Sequence, residues 1–238
     1  VLLPLGAQQL CDADIDPGMG IETHTYTDLA LDDPIGIVGF PSVGLVSSIA
    51  ANYIVSQLKM PAIAGMNGGN IPPYSLISEG IAYPPIRFYG IKSRTKTGRD
   101  LIVCTSEFAP KPEDCYEIGM AVLSKLRDLG CHQVICMEGI PRMSDKDRAV
   151  VCGSGLASEK LEMASGLPRM DNGMVKGTSG VILCESRPNG NPTTIMSSRK
   201  PMPSVKSAGS RCTNLRLEGY FLYRLMRAMP LLCTCRKN

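Results

Sequence analysis

The sequence predicts an α/β protein with a mainly parallel central sheet flanked by helices on both faces. Three observations carry this. Short apolar runs with strand character recur at Ile35–Gly39, Ile86–Gly90, Leu101–Thr105 and Val134–Met137. Longer segments of helical period lie between some of them, at Val43–Leu58 and Pro112–Leu129. Glycine or proline marks most of the junctions, and strands alternating with helices of this length build layered α/β folds.

Residues 1–34 are irregular in composition, with one strand expected around Ile21–Thr27. The first strand, Ile35–Gly39, runs into the turn Gly39-Phe40-Pro41-Ser42-Val43-Gly44 and then into the helix Val43–Leu58. Leu45, Ile49, Tyr53 and, less strictly, Leu58 recur at i, i+4 spacing and predict the core-facing stripe of that helix. Met60–Gly65 reads as the next strand. In Ile71–Gly90 two Pro-Pro pairs flank a Ser-Leu-Ile-Ser-Glu-Gly turn, which predicts a hairpin or excursion at a sheet edge. Lys92–Asp100 is a polar turn between the strands Ile86–Gly90 and Leu101–Thr105. Pro112 with Glu113-Asp114 opens the second long helix, and Gly130 stops it. Ser158–Ser165 reads as a helix ended by Gly166. Gly180–Leu183 reads as a strand, and Thr193–Met196 as part of another.

Hydrophobic residues make up 44% of the 238 and charged residues 20%, ordinary values for a globular protein. The formal charge is only +3, too small to suggest a nucleic-acid partner. From Met196 onward, however, nine Lys/Arg face the single acid Glu218, so residues 1–195 carry a net −5 and the remainder +8. The segment 197–238 is expected to be a basic tail that contributes little to the core, following a single domain over 35–196. The opening VLLPLGAQQLC has no basic region and contains Pro4, so a signal peptide is not expected. No run of about 18 apolar residues predicts a membrane span. Cys104, Cys136 and Cys184 lie inside apolar runs, and no Cys-x-x-Cys occurs among the ten cysteines. They read as small hydrophobes in a reducing, cytoplasmic setting.

The strand–turn–helix unit at Gly39–Gly44 often marks a nucleotide site. Leu45-Val46 follows Gly44 where a P-loop needs Lys-Ser/Thr, and G-x-G-x-x-G is absent. Neither His24 nor His132 has the spacing of a metal site or of a nucleophile's base, so no metal, no cofactor and no catalytic residue are assigned. Ser154 lacks the flanking pattern of a nucleophile elbow.

Glu107 and Glu138 follow strands, at the carboxyl ends where α/β ligand sites gather. Two carboxylates there serve either acid–base chemistry or the capping of helices and loop amides. Gly39–Gly44 and Gly177-Thr178-Ser179-Gly180 are expected to converge on the same sheet edge. There they either cradle an anion or let helices pack close to strands. The candidate ligand pocket is therefore Gly39, Phe40, Pro41, Gly44, Glu107, Phe108, Glu138, Gly139, Pro141, Gly177, Thr178 and Ser179. The candidate interface is Tyr74, Tyr83, Phe88 and Tyr89, aromatics on a proline-rich excursion that suits self-association.

Taken in order, GFPSVGLVSSIAANYIV, IPPY…YPPIRFYG, LIVCTSEFAPKPEDCYEIGMAVLSKL, VICMEGIP and NGMVKGTSGVIL resemble the archaeal branch of the proteasome assembly chaperone family, over about Ile35 to Leu183. The resemblance implies a three-layer α/β/α sandwich akin to the nucleoside phosphorylase fold. It also implies a cytoplasmic homo-oligomer, without established catalysis, that binds proteasome α or β subunits or the core particle. Some members carry a C-terminal hydrophobic-Tyr-any motif for docking, which Arg236-Lys237-Asn238 does not match. The alternative is a small-molecule enzyme, nucleoside- or ligase-like, that uses Glu107 and Glu138 beside the Gly-rich loops.

Overall fold

The structure is a computed structural model that describes residues 20–93, 98–141, 150–153, 163, 166–186 and 193–200, with 140–141 and 193–200 described by backbone alone. In chain order the strands are β1 (Ile21–Thr25), β2 (Ile35–Gly39), β3 (Ala62–Gly68), β4 (Leu76–Ser78), β5 (Ile81–Tyr83), β6 (Ile86–Ile91), β7 (Leu101–Ser106), β8 (Gln133–Pro141), β9 (Val150–Gly153) and β10 (Thr193–Lys200). The helices are α1 (Val46–Leu58), preceded by a 3-10 turn at Val43–Leu45, α2 (Cys115–Asp128) and α3 (Gly177–Ser186).

Eight strands form one sheet in the order β1-β3-β6-β7-β2-β8-β10-β9, and β4 and β5 form a separate hairpin. The expected mainly parallel sheet is corrected here, because the sheet is mixed. Only β7, β2, β8 and β10 run parallel as neighbours. The pairs β1–β3, β3–β6, β6–β7 and β9–β10 are antiparallel. The reason lies in the connections. A parallel pair needs a long crossover, whereas β6 and β7 are joined by the short polar segment 92–100 and so must reverse. The sheet also begins before residue 35, since Ile21–Thr25 pairs with Ala64–Gly68.

Two buried clusters sit on the two sides of the sheet. Ile35, Ile37, Leu101, Val103, Ile135 and Met137 pack with Ala50, Ala51 and Ile54 of α1. Val38, Ile102, Cys104, Val134 and Cys136 pack with Ile118, Val122, Leu123 and Leu126 of α2 and Ile182 of α3. Alternation along each strand sends successive residues to opposite clusters, and strands buried on both faces read as continuous apolar runs.

Three sequence expectations are corrected by this packing. In α1 the buried face is Val46, Ser47, Ala50, Ala51 and Ile54, not the larger stripe. Leu45, Ile49 and Tyr53 are 54%, 42% and 45% exposed. The helix lies so close to β2 that a Cβ on Gly39 would come within 2.8 Å of the Ser47 carbonyl oxygen. Only small side chains fit there, so the bulky stripe is rotated away. Secondly, Gly180–Leu183 is not a strand but the middle of α3. Its buried residues Thr178, Ser179, Ile182 and Ser186 follow a helical period, and Val181 packs against Gly119 of α2. A four-residue apolar run does not carry enough period to separate helix from strand. Thirdly, Ser197–Lys200 extends β10 alongside Glu138–Pro141, so the first residues of the expected tail belong to the sheet. The rest of that tail lies outside the described residues, as does the expected helix Ser158–Ser165 apart from Met163.

Most remaining elements agree with the sequence reading; the exception is β9, Val150–Gly153, which the sequence reading did not assign and which pairs antiparallel with β10. The helix expected from Pro112 begins at Cys115 and stops before Gly130, whose φ of +83° favours glycine. The proline-rich excursion contains the β4–β5 hairpin, turned at Glu79-Gly80.

Candidate functional site

The carboxyl end of the parallel strands gathers three segments: the β2–α1 turn, the end of β8, and the first turn of α3. The Gly139 amide donates to Ser42 Oγ at 3.0 Å. Ser42 Oγ lies 2.5 Å from Ser47 Oγ, and Ser47 donates to the Phe40 carbonyl. With the Ser47 proton committed to Phe40, the Ser42 proton is shared between Ser47 and the Glu138 carboxylate. Glu138 also accepts from Ser179 and from the Gly139 amide, so one side chain ties β8 to both glycine-containing turns.

Backbone geometry makes this junction possible. Gly44 and Leu45 both have left-handed φ, +73° and +57°, which folds the turn back over β8. A Cβ on Gly139 would collide with the Val43 carbonyl, so only glycine lets the two segments touch. Burial pushes the Glu138 carboxyl above its usual range, and the hydrogen bonds from Ser179, Ser42 and Gly139 hold the rise back. The group that fills the space beside the first turn of α3 is thus the protein's own Glu138 carboxyl.

Glu107 is placed elsewhere. It forms an ion pair with Arg87 of β6, which also lies over the Tyr89 ring at 5.8 Å. Arg87 pairs in register with Thr105, and Tyr89 with Val103, so this group is on the α1 side of the sheet. Glu138 follows Met137 of the α1 side and contacts Ser179 of α3, on the other face. The two carboxylates do not meet in one pocket, which removes the geometric basis for pairing them as acid and base. Glu107 lies one residue past β7, whereas Glu138 lies within β8 opposite Ser197 of β10, because β8 runs on beyond the strand that the sequence marked.

The other candidates divide between core and turn. Phe40 is buried and Phe108 partly buried in the α2-side cluster. Pro41 is half-buried, and Gly44 is exposed in the turn. Gly177 has φ of +68° at the start of α3, and Thr178 is buried beside α2. Pro141 ends β8.

Among the interface candidates, Phe88 is corrected outright. It is fully buried and belongs to the α2-side core, because its strand position alternates inward. Tyr83 is half-buried and meets Tyr26 edge-on at 6.2 Å, while Tyr89 is half-buried over Arg87. Tyr74 is exposed.

Exposed apolar surface lies partly on the proline-rich excursion Ile71–Gly90, where the sequence suggested it, and partly where sequence reasoning did not put it. Ile49 and Tyr53 are exposed on α1, Val43 and Leu45 are exposed in the turn before it, and Ile77 and Ile81 stand out on the hairpin. The available signal was the competing face Val46, Ser47, Ala50, Ala51 and Ile54, whose middle residues Ser47, Ala50 and Ala51 are small enough for a helix held close to a sheet. Among the described residues no group of three or more His, Cys, Asp or Glu is placed to hold a metal ion. None of the described helices is long and apolar enough to cross a membrane.

Comparison with known proteins places this arrangement in a wider group. A model of the PAC2 family matches residues 36–209. An uncharacterized protein of Methanocaldococcus jannaschii is 27% identical over 166 residues, covering 68% of this chain and 64% of that protein. Among solved structures, Pyrococcus furiosus PbaA, described as an archaeal homolog of proteasome-assembly chaperone, superposes with a TM-score of 0.71 at 24% identity. That match covers 89% of this chain and 90% of PbaA. Pyrococcus furiosus PbaB, described as an archaeal proteasome activator, gives 0.69 at 21% identity, over 88% and 89% of the two chains. At these identities the two structures establish a shared fold.

Proposed function

This chain belongs to the PAC2 family, and from that premise we propose that it is a non-enzymatic, proteasome-assembly-chaperone-like protein of the cytoplasm. It binds proteasome α or β subunits, or the core particle, through an oligomeric surface. Its two core clusters are the two interlayer cores of a three-layer α/β/α sandwich. The observation that carries the reading is the exposed apolar set Ile49 and Tyr53 on α1 with Val43 and Leu45 in the turn that leads into it. Contiguous exposed apolar surface on a folded domain is characteristic of protein–protein contact. The alternative of an enzyme using Glu107 and Glu138 loses support, since Glu107 is ion-paired to Arg87 and Glu138 is engaged by three internal donors. We read the Ser42–Glu138–Ser179 junction as a clasp between secondary-structure elements.

The test is a pull-down from native lysate with the tagged protein, with mass spectrometry of what is retained. Proteasome α or β subunits are expected with the wild type and absent with Ile49→Glu. A wild-type pull-down that retains no proteasome subunit overturns the partner assignment. Equal retention by Ile49→Glu overturns the surface.

A further inference from the structure

At the end of the strands opposite the glycine-containing turns, a cavity of about 440 Å³ opens between the end of α1 and Ile91–Ser93, Arg99 and Leu101. Its floor is apolar, made by Leu58, Ile91 and Leu101. Lys59, Lys92 and Arg99 stand around it. The volume lies within the roughly 300–1,000 Å³ of ordinary ligand pockets.

The three cations are not equivalent. Arg99 is fully engaged: its Nε and Nη2 donate to the Asp33 carbonyl at 3.0 and 2.9 Å, its Nη1 donates to Gln133 at 2.9 Å, and it pairs with the Asp33 carboxylate at 3.0 Å. It is a rigid wall of net zero charge. The nearby Asp100 carboxylate is occupied by backbone, accepting from the Ser93 amide at 2.8 Å and the Asp32 amide at 2.7 Å. Lys59 and Lys92 are different. Both are exposed, and neither has an ion pair among the described residues. Lys59 closes α1 in a left-handed conformation, φ +50°, and its amide and that of Met60 cap the Ser56 and Val55 carbonyls. The negative end of the helix is thereby partly satisfied, and the two ammonium groups outnumber the one carboxylate, Asp100, that has no cation of its own near the rim among the described residues.

We propose that this cavity is a docking site for an acidic peptide segment. A leucine-sized side chain sits on Leu58 and Ile91, and flanking carboxylates meet Lys59 and Lys92. Charge complementarity selects this occupant. Two unpaired cations above an apolar floor reject a basic or purely polar segment and leave a bare inorganic anion without use for the floor. The site stands on this cavity alone and does not depend on the proteasome reading.

The test uses the full chain and a fluorescein-labelled Glu-Leu-Glu-Leu-Glu-Leu peptide, followed by fluorescence anisotropy. Saturable binding that weakens with added sodium chloride is expected, as is at least tenfold weaker binding of the matching Gln/Leu and Lys/Leu peptides. Lys59→Gln and Lys92→Gln should each weaken binding about twofold to fivefold, the upper range of an exposed ion pair. Lys111→Gln, a remote exposed lysine, should leave it unchanged. Wild-type affinity in both pocket variants overturns the site. Equal loss in Lys111→Gln reduces the effect to net charge and overturns it too. Displacement by inorganic phosphate as effective as by unlabelled peptide overturns the peptide assignment.

Discussion

Replacing Gly39 with alanine tests the central packing argument directly. The new Cβ would lie 2.8 Å from the Ser47 carbonyl oxygen and 3.4 Å from Met137 Cε, and would overlap the Ala51 methyl group. Carbon atoms pack at about 3.5–4.0 Å, so α1 must retreat by roughly 1 Å over β2. Neither obstacle is a flexible side-chain end, because one is helix backbone and the other a fully buried alanine. Overpacking typically costs about 1–3 kcal/mol, and a rigid obstacle places Gly39→Ala near about 3. For a chain of this size each kcal/mol lowers the melting temperature by roughly 2–4 °C, so a fall of about 6–12 °C is expected. Circular dichroism melts, with urea titrations for an unchanged m value, provide the assay. Gly80→Ala is the control. Gly80 has φ of +79° but nothing within 4 Å, so it bears only conformational strain of about 1 kcal/mol and should lose about 2–4 °C. If Gly39→Ala melts within about 2 °C of the wild type, or above Gly80→Ala, then α1 does not press on β2 as argued.

Other perturbations probe the remaining inferences. Glu138 has a raised carboxyl, so the folded state holds its proton more tightly than the unfolded chain does. Its contribution to stability is complete below the unfolded pKa and is lost as pH rises through the folded value. The melting temperature of wild type minus Glu138→Gln should therefore fall as pH rises across that window, and a flat difference contradicts the assignment. Glu107→Ala leaves the buried Arg87 guanidinium without its ion pair. With the Glu107 side chain 32% exposed, solvent screening limits the expected loss to about 1–3 kcal/mol by urea denaturation. Ile49→Glu should change the melting temperature by less than about 2 °C yet reduce the mass seen by light scattering, whereas a core position would lose several kcal/mol. Among the six described cysteines, Cys184 is exposed and should be alkylated first. Burial pushes the Cys131 thiol up to about 12 and Cys136 higher still, so mass-mapped alkylation of these two should require unfolding.

Sequence alone determined what depends on local chemistry. Apolar runs bounded by glycine and proline located β2, β6, β7 and β8, and Pro112 with Gly130 bracketed α2. Those signals act through φ restriction, missing amide donors and periodic burial, all written within a few neighbouring residues. The order of motifs further identified the family. What sequence left open depends on partners distant in the chain. Two faces compete along α1, and the close approach to Gly39 chose the one that carries Ser47, Ala50 and Ala51. Val181-Ile182-Leu183 is too short to declare a period, and contact with Gly119 of α2 made it helical. Strand direction follows from connection geometry rather than composition, so the sheet is mixed although its strands read alike. Glu107 and Glu138 looked equivalent because each follows a strand. The tertiary structure separated them: Glu107 lies just past β7 and meets Arg87, whereas Glu138 lies inside β8, which pairs with β10 beyond Met137, and meets Ser42 and Ser179.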